Sequence, residues 1–251
     1  MAWDTIRCLR FWSGDTHADA VADNAAQDAV YAEIVEKTFD PKLLLSALTQ
    51  AVSERRVTMW SPVDKEQDLI ESFNADGALP ASDKKTDRVG VYFQENVGSK
   101  MNYYLNQAVS PGQAACRADG KASYRIGVDL TNGIPLDAAK SVSPSILGTF
   151  DREKLKPGVQ RLIVMVYAPS GSQIVGATVN GAAVQLVLFH DTDYPVAKLV
   201  LTMNSGATSK LSVDAVAAGT AKKMLAAQVT PMVNPTAITN VPLDCASVAT
   251  Q

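Results

Sequence analysis

The chain is poor in the residue types on which many catalytic and metal sites depend. Its 251 residues include only two histidines and three cysteines, which leaves few ligands for a transition metal. Neither sign of charge dominates, because 23 Lys and Arg stand against 26 Asp and Glu, a net charge of −3. Nucleic-acid phosphates are bound mainly by clustered Lys and Arg, so we expect no nucleic acid among the partners. The remaining composition is that of an ordinary globular protein and identifies no function.

Long apolar runs are also missing. The longest, Leu162–Ala168, has seven residues, whereas a membrane-spanning helix needs roughly 20. We therefore expect no membrane span in this chain. The first residues, MAWDTIRCLRFWSGDTHAD, include the charged Asp4, Arg7, Arg10 and Asp15 and lack the apolar block of a secretory signal.

Catalytic motifs are absent as well. There is no P-loop, no G-x-G-x-x-G and no G-x-S-x-G element, so we expect no cofactor and assign no catalytic residue or metal site. His190 lies beside Asp191 and Asp193, which could orient an imidazole in a catalytic triad. We favour the alternative, in which His190 is a surface residue at a strand end, and with it a non-enzymatic role.

The hydrophobic pattern divides the chain into four segments and predicts an α+β protein. Residues 1–21 form an atypical start that does not resemble native core, residues 22–87 are rich in helix and residues 88–228 form an antiparallel β-sandwich. Residues 229–251 form an extended tail, because the prolines that follow Thr230 exclude a helix.

Three helices are predicted in the helix-rich segment. The first begins at Asn24 and buries Ala26, Val30, Ile34 and Val35 on one face. The second begins at Asp40-Pro41, places Leu44, Leu48, Ala51 and Val52 on one face and ends near Arg55. Val57–Trp60 is a β-prone run, and Asp64 can cap a third helix that ends before Gly77.

In the sandwich segment the period of the apolar residues becomes two. Tyr124–Thr131 alternates between apolar and polar residues, which predicts a strand with one buried face. Leu162–Tyr167 and Val184–Phe189 are apolar on both faces, a pattern typical of central strands. Asn180-Gly181 between two apolar runs predicts a hairpin turn, and residues 132–156 a loop that crosses between the sheets.

Cys116 and Cys245 flank one long block of sequence and could form a disulfide that ties the tail to the body of the protein. None of the three cysteines has C-x-x-C spacing. A disulfide would imply an oxidising compartment, and hence export. The alternative is three unpaired thiols, and the residues leave both possibilities open.

Residue type alone provides the candidate binding residues. Arg55 and Arg56 could hold a phosphate or carboxylate bidentately, or could simply complement the negative end of the preceding helix. The latter is the interpretation we favour. Tyr103, together with Tyr92, Phe93 and Tyr104, could form a platform on which a sugar stacks, although cross-strand packing is the more common arrangement.

Five sequence segments follow one another along the chain: SERRVTMWSPVDKEQDLIESFNADGALP, VGVYFQENVGSKMNYYL, ACRADGK, VDLTNGIP and TPMVNPT. They resemble the C-terminal part of an uncharacterised actinobacterial cell-envelope family, catalogued as domain-of-unknown-function family 4012. The resemblance spans about residues 22–245, and its most specific segment is GSKMNYYL. Lys100 stands in this segment and is, by its residue type, a further candidate ligand-binding residue.

The resemblance implies an extracytoplasmic body, held by a membrane anchor in a longer parent protein. By that comparison the chain would be a truncated member with an atypical start, and its partner a cell-wall polymer or another envelope protein. We therefore expect a non-catalytic envelope domain that is structural or binds a ligand.

Two alternatives remain at this point. The family is remotely similar to LytR–CpsA–Psr enzymes, which attach lipid-linked glycopolymers to the cell wall with Mg²⁺, so the chain could be part of such a phosphotransferase. The helix that should carry the arginines of those enzymes reads DNAAQDAVYAEIVEKTF and contains none. The other alternative is an intracellular protein without export.

Overall fold

The computed structural model of the chain describes residues 40–147, 155–220 and 224–241. The chain divides between Ala75 and Asp76 into two compact units, which we describe separately. Among the described residues, no helix combines the length and the apolarity that crossing a membrane requires. The predicted helix that begins at Asn24 lies outside the described residues.

In the first unit, the described residues form two helices, α1 (Pro41–Ser53) and α2 (Asp64–Ser72). The predicted start of α1 is confirmed, because the Asp40 carboxylate caps the helix by accepting a hydrogen bond from the Lys42 N–H at 2.8 Å. Pro41 is the first helical residue, a position that needs no N–H donor. No residue of α1 is buried, so the face that carries Leu44 and Leu48 stays partly exposed.

Two details of this unit differ from prediction. Asp64 is the first residue of α2 rather than its cap, and there its carboxylate complements the positive end of the helix dipole. Val57–Trp60 is not a strand, because it has no ladder of backbone hydrogen bonds with a neighbouring strand within the described residues. Instead the Met59 N–H donates to the Ala75 carbonyl oxygen at 2.7 Å.

The second unit is a sandwich of two β-sheets, which confirms the predicted α+β class. The five-stranded sheet has the order β10-β1-β4-β8-β7, and the six-stranded sheet has the order β11-β2-β3-β9-β5-β6. The strands are β1 (Thr86–Glu95), β2 (Leu105–Cys116), β3 (Lys121–Asn132), β4 (Gln160–Tyr167), β5 (Gln173–Val179), β6 (Ala182–Ala183), β7 (Val187–Asp191), β8 (Tyr194–Met203), β9 (Thr208–Thr220), β10 (Met224–Val229) and β11 (Ala237–Ile238).

Most neighbouring strands are antiparallel, as predicted, but two pairs are parallel. β10 runs parallel to β1, and β11 runs parallel to β2 at the edge of the other sheet. Each parallel pair joins a late strand to one from the start of the sandwich. The tail is therefore an extended edge segment up to Val241, which forms a bridge with Gly112.

The core lies between the two sheets, where the inward side chains of both meet. The predicted alternation of β3 is confirmed, since Tyr124, Ile126, Val128 and Leu130 are buried and Arg125 and Asp129 are exposed. The inward face of β4 contributes Leu162, Val164 and Val166 to the same core. The Tyr124 hydroxyl donates to the buried Asp87 carboxylate, which joins a strand of one sheet to a strand of the other.

The strands predicted to be central have different places in the sheet. β4 lies in the middle of the five-stranded sheet, as expected. Val184–Phe189 is not a central strand, because its β-structure is limited to β7, the edge strand of that sheet, where side chains on both faces are exposed. The apolar residues of β7, Val187, Leu188 and Phe189, are therefore exposed, although their pattern predicted burial.

The connections agree with the remaining predictions. Asn180 and Gly181 form the turn between β5 and β6, with φ values of 50° and 82° that suit a two-residue hairpin. The segment after β3 crosses from the six-stranded to the five-stranded sheet and contains two short helices, α3 (Ala138–Ser141) and α4 (Pro144–Leu147). Residues 148–154 of that predicted loop lie outside the described residues.

Candidate functional site

Lys100 and Tyr103 lie at one end of the sandwich, on the connection between β1 and β2. A 3₁₀-helix, Met101–Tyr104, follows Lys100 directly. The Lys100 N–H donates to the Ile146 carbonyl oxygen at 2.8 Å, which ties this connection to the crossing segment. Met101 is buried in a small second core that includes Ile134, and it anchors the helix.

The short helix presents successive side chains in different directions. Tyr103 is 63% exposed, and its ring packs edge to face with that of Tyr104, with centroids 5.1 Å apart and an interplanar angle of 85°. The Asn234 side-chain amide donates to the carbonyl oxygens of Tyr103, at 3.0 Å, and Leu105, at 2.8 Å. The backbone beneath the exposed ring is therefore held in place by the tail.

A group of polar side chains lies beside this helix, at the end of β1 and the start of β4. Gln160 is fully buried, and its side-chain N–H₂ donates to Asn102 Oδ1 at 3.0 Å and to Glu95 Oε2 at 3.4 Å. The adjacent backbone is also joined, because the Asn96 N–H donates to the Arg161 carbonyl oxygen at 3.0 Å. Glu95, Asn102 and Gln160 thus form one hydrogen-bonded cluster.

The cluster has unused acceptor capacity. Burial raises the pKa of the Glu95 carboxyl, although hydrogen bonds from Gln160, Ser99 and two backbone N–H groups oppose the rise. Glu95 Oε1 and Gln160 Oε1 are buried without a hydrogen-bond partner. A buried acceptor without a donor is costly, so a proton on Glu95, or a small donor group brought to this place, would be stabilising.

We define the candidate site as Glu95, Lys100, Asn102, Tyr103 and Gln160. It combines an exposed aromatic ring, a cation and buried amide and carboxyl groups, a set typical of sites for polar organic ligands. It does not provide an obvious metal site, because no group of three His, Cys, Asp or Glu side chains converges in the part of the chain that the structure describes.

Arg55 and Arg56 belong to the other unit, at the end of α1. Arg55 has a φ of 56°, a left-handed conformation that ends the helix. Arg56 Nε donates to Glu54 Oε2 at 2.6 Å, and this pair is partly exposed. The hydrogen bond from Arg56, followed by one from Gln50, lowers the pKa of the Glu54 carboxyl. Arg56 is thus engaged by a neighbouring carboxylate at the helix terminus.

The predicted disulfide stays a prediction. Cys116 is the last residue of β2, directly before the turn that leads to β3. Cys245 lies outside the described residues, as does Cys8, the leftover cysteine of the atypical start.

The other aromatic residues do not join Tyr103 in one platform. Tyr92 and Phe93 are successive residues of β1 and point to opposite faces of the sheet. Phe93 is buried in the core, whereas Tyr92 packs edge to face with Tyr167 on the neighbouring strand, at 5.2 Å and 83°. For Tyr92 the structure therefore has the cross-strand packing that we favoured.

His190 is an exposed residue of β7, as the favoured interpretation expects. It and Asp191 are successive strand residues and point to opposite faces, so Asp191 does not orient the imidazole. The Asp191 carboxylate instead accepts a hydrogen bond from the Tyr167 hydroxyl at 3.0 Å. Both burial and this bond raise the pKa of Tyr167.

Sequence reasoning missed Glu95, Asn102 and Gln160. Each is a common surface residue type. Glu95 and Asn102 stand in the segment VGVYFQENVGSKMNYYL, but nothing in that segment pointed to their side chains. One sign was present: Gln160 lies two residues before Leu162, the first residue of the apolar run Leu162–Ala168. Two residues along a strand bring side chains to the same face, so Gln160 enters the sheet beside the buried Leu162.

Comparisons with known proteins identify neither a family nor a function. No protein-family model matches the chain, and no curated protein matches it. A solved structure of a candidate nutrient-binding protein from Legionella pneumophila aligns at 10% identity with a TM-score of 0.25, over 51% of this chain and 43% of that one. An M1 zinc metallopeptidase from Deinococcus radiodurans aligns at 12% identity with a TM-score of 0.21, over 55% of this chain and 21% of the peptidase. Similarities this low carry no argument about this chain.

Proposed function

We propose that this chain is a non-catalytic, extracytoplasmic domain of a cell-envelope protein and that it binds a polyhydroxylated cell-wall polymer at the candidate site. The proposal follows the family resemblance of the sequence. The observation that carries the binding role is the exposed ring of Tyr103, held on a tied-down backbone beside Lys100 and a buried polar cluster.

The chemistry of this arrangement suits a sugar polymer. The face of an aromatic ring is negatively polarised and attracts the positively polarised C–H groups on one face of a sugar ring. Lys100 supplies a cation for acidic or phosphorylated substituents. The buried side chains of Glu95 and Gln160 contribute from below, because Gln160 donates to both Glu95 and Asn102 and so holds the short helix that presents Tyr103.

Binding can be tested by co-sedimentation of the purified chain with insoluble actinobacterial cell wall, which serves as the probe. We expect Tyr103→Ala to lower the bound fraction severalfold, because it removes the stacking surface and leaves the backbone ties intact. Trp60→Ala is the matched control, since it removes an aromatic ring that is also exposed, at 76%, from the other unit. Equal binding by the wild type and Tyr103→Ala would contradict the proposed site.

A second pair of variants tests the cation and the polar cluster of the candidate site. Lys100→Ala should weaken binding to phosphorylated or acidic polymer more than binding to a neutral one. Glu95→Gln keeps the shape of the side chain but replaces one acceptor oxygen by a donor, which disturbs the hydrogen bond from Gln160 that supports the short helix. It should therefore weaken binding to both. No binding of any wall fraction by the wild type would refute the proposed function.

The proposed location rests on the resemblance and on the predicted Cys116–Cys245 disulfide. We expect non-reducing alkylation and mass spectrometry to find these two cysteines protected from labelling and Cys8 labelled. Free labelling of both would favour the intracellular alternative. Mg²⁺-dependent binding of a polyprenyl-pyrophosphate analogue would instead support the phosphotransferase alternative.

A further inference from the structure

The free edge of the five-stranded sheet has an unusual composition. β7 is the last strand of this sheet and pairs with β8 on one side, and no described strand pairs with its other side. Its apolar residues are exposed, with Val187 at 62%, Leu188 at 56% and Phe189 at 38%. Val187 and Phe189 share one face of the strand and Leu188 lies on the other.

Edge strands of soluble proteins are usually protected against pairing with another chain. The common devices are a lysine or a proline on the strand, a β-bulge or a covering segment. β7 has the sequence VLFHD, without lysine or proline, and its register with β8 is continuous over all five residues. It is therefore a suitable template for an added strand.

We propose that two copies of this chain associate through β7, with the strands antiparallel about a two-fold axis and Phe189 opposite Phe189 of the second copy. The two five-stranded sheets would then form one continuous sheet of ten strands. This proposal is independent of the candidate site and of the function proposed for it.

Charge complementarity favours a second copy of this chain as the partner of β7, and it favours one register of the two strands. In the register centred on Phe189, Val187 of one copy faces Asp191 of the other. On β8, Lys198 is the direct neighbour of Val187, so Lys198 and the second copy's Asp191 lie on the same face, separated by two strand spacings, roughly 10 Å. The long lysine side chain can extend across Val187 toward that carboxylate, and the two-fold axis makes the contact twice.

The apolar residues agree with the same register. The central row then consists of Phe189 from both copies, flanked on each side by Val196, the buried β8 neighbour of Phe189. The nearest alternative is centred on Leu188 and places Asp191 opposite Gln185, with no acidic residue in the row of Lys198. Of these two registers, only the one centred on Phe189 places an acidic residue in the row of Lys198. A register centred on His190 would bring Asp193 into that row, but Asp193 lies beyond the end of β7 and Phe189 would then face a carboxylate, that of Asp191.

The first experiment measures the mass of the purified chain in solution by sedimentation velocity over a range of concentrations. We expect a concentration-dependent dimer for the wild type and a monomer for Leu188→Lys, which introduces a charge on the paired edge. Val175→Lys is the matched control, because Val175 is an equally exposed strand residue in the other sheet, and it should still dimerise. Circular dichroism checks that each variant is folded.

The second experiment tests the register by exchange of charge. Asp191→Lys and Lys198→Asp should each weaken the dimer about tenfold, since each affects two symmetric contacts, and the double variant should recover most of the loss. Tyr167→Phe controls for the hydrogen bond that Asp191 accepts within its own chain, and it should leave the dimer unchanged. A monomeric wild type, or a Leu188→Lys variant that still dimerises, would overturn the proposal, and a double variant without recovery would refute the register.

Discussion

The buried side chain of Asn132 offers a direct test of how the sandwich is joined. It is fully buried at the end of β3, and its amide donates to the carbonyl oxygens of Gly158, at 2.8 Å, and Met203, at 3.2 Å. Its Oδ1 accepts from the Ile134 N–H at 3.4 Å. One side chain thus joins a strand of the six-stranded sheet to the approach to β4 and to the end of β8.

We expect Asn132→Ala to lower the free energy of unfolding by about 3 kcal/mol. A net contribution of about 1 kcal/mol for each of the two donated hydrogen bonds accounts for most of this loss. The remainder comes from leaving buried backbone groups without partners, which adds about 1 kcal/mol or more. The measurement is urea unfolding at equilibrium, followed by circular dichroism.

Asn106→Ala is the matched control, because Asn106 is an exposed asparagine on β2 of the same sheet. We expect it to change the free energy of unfolding by less than about 0.5 kcal/mol. A loss below about 1 kcal/mol for Asn132→Ala would refute the reasoning, because the buried carbonyl groups would then have found other partners.

Asn132→Asp sharpens the test through its pH dependence. The new carboxyl would be buried and face two carbonyl oxygens, so its pKa in the folded state should lie above the value of about 3.9 in the unfolded chain. The folded state then binds the proton more tightly than the unfolded state, and stability falls as the pH rises through the folded-state pKa. We expect Asn132→Asp to lose stability relative to Asn132→Ala between about pH 3 and pH 7, and a constant difference would contradict this.

Three further predictions concern other parts of the sandwich. Leu162→Ala should lower the free energy of unfolding in urea by about 2–5 kcal/mol, because removing this fully buried side chain of the central strand leaves a cavity. A loss under about 1 kcal/mol, the size expected for a surface substitution, would contradict the core packing. The Asp83 carboxyl should titrate at about 2 by NMR, because the Lys85 backbone N–H and the Arg88 side chain lower its pKa from 3.8; its stabilising effect is then present above 3.8 and lost as the pH falls through about 2, and a titration at the ordinary value would exclude these contacts. Gly112→Ala should release the tail to limited proteolysis, because a Cβ there would lie 2.3 Å from the Val241 carbonyl oxygen; Gly176→Ala, where a Cβ meets no atom within 4 Å, is the control, and equal protection of both tails would contradict the bridge.

Much of the local structure could be predicted from the sequence because local rules determine it. The alternation of apolar and polar residues in Tyr124–Thr131 predicted β3 and its buried face, which the structure confirms. Asp40-Pro41 marked the start of α1, and Asn180-Gly181 marked a hairpin turn. In each case the deciding interaction lies within a few residues of the pattern.

The candidate site could be predicted only in part. Tyr103 and Lys100 stand in the distinctive sequence segment GSKMNYYL. Glu95 and Gln160, by contrast, are 65 residues apart and meet only because β1 and β4 are neighbouring strands. The same limit applies to Asn132, whose partners follow it by 26 and 71 residues. A hydrogen bond over such a separation leaves no periodic trace in the sequence.

By itself the sequence determined the helical start of the described chain, the strands β3 and β4 and the α+β class. Only the tertiary structure decided which strands are central and which lie at an edge. Leu162–Tyr167 and Val187–Phe189 are both apolar on two faces, yet one occupies the middle of the sheet and the other its free edge. The reason is physical, because the period of a pattern reflects the geometry of one strand, whereas burial depends on the neighbours that the strand order supplies.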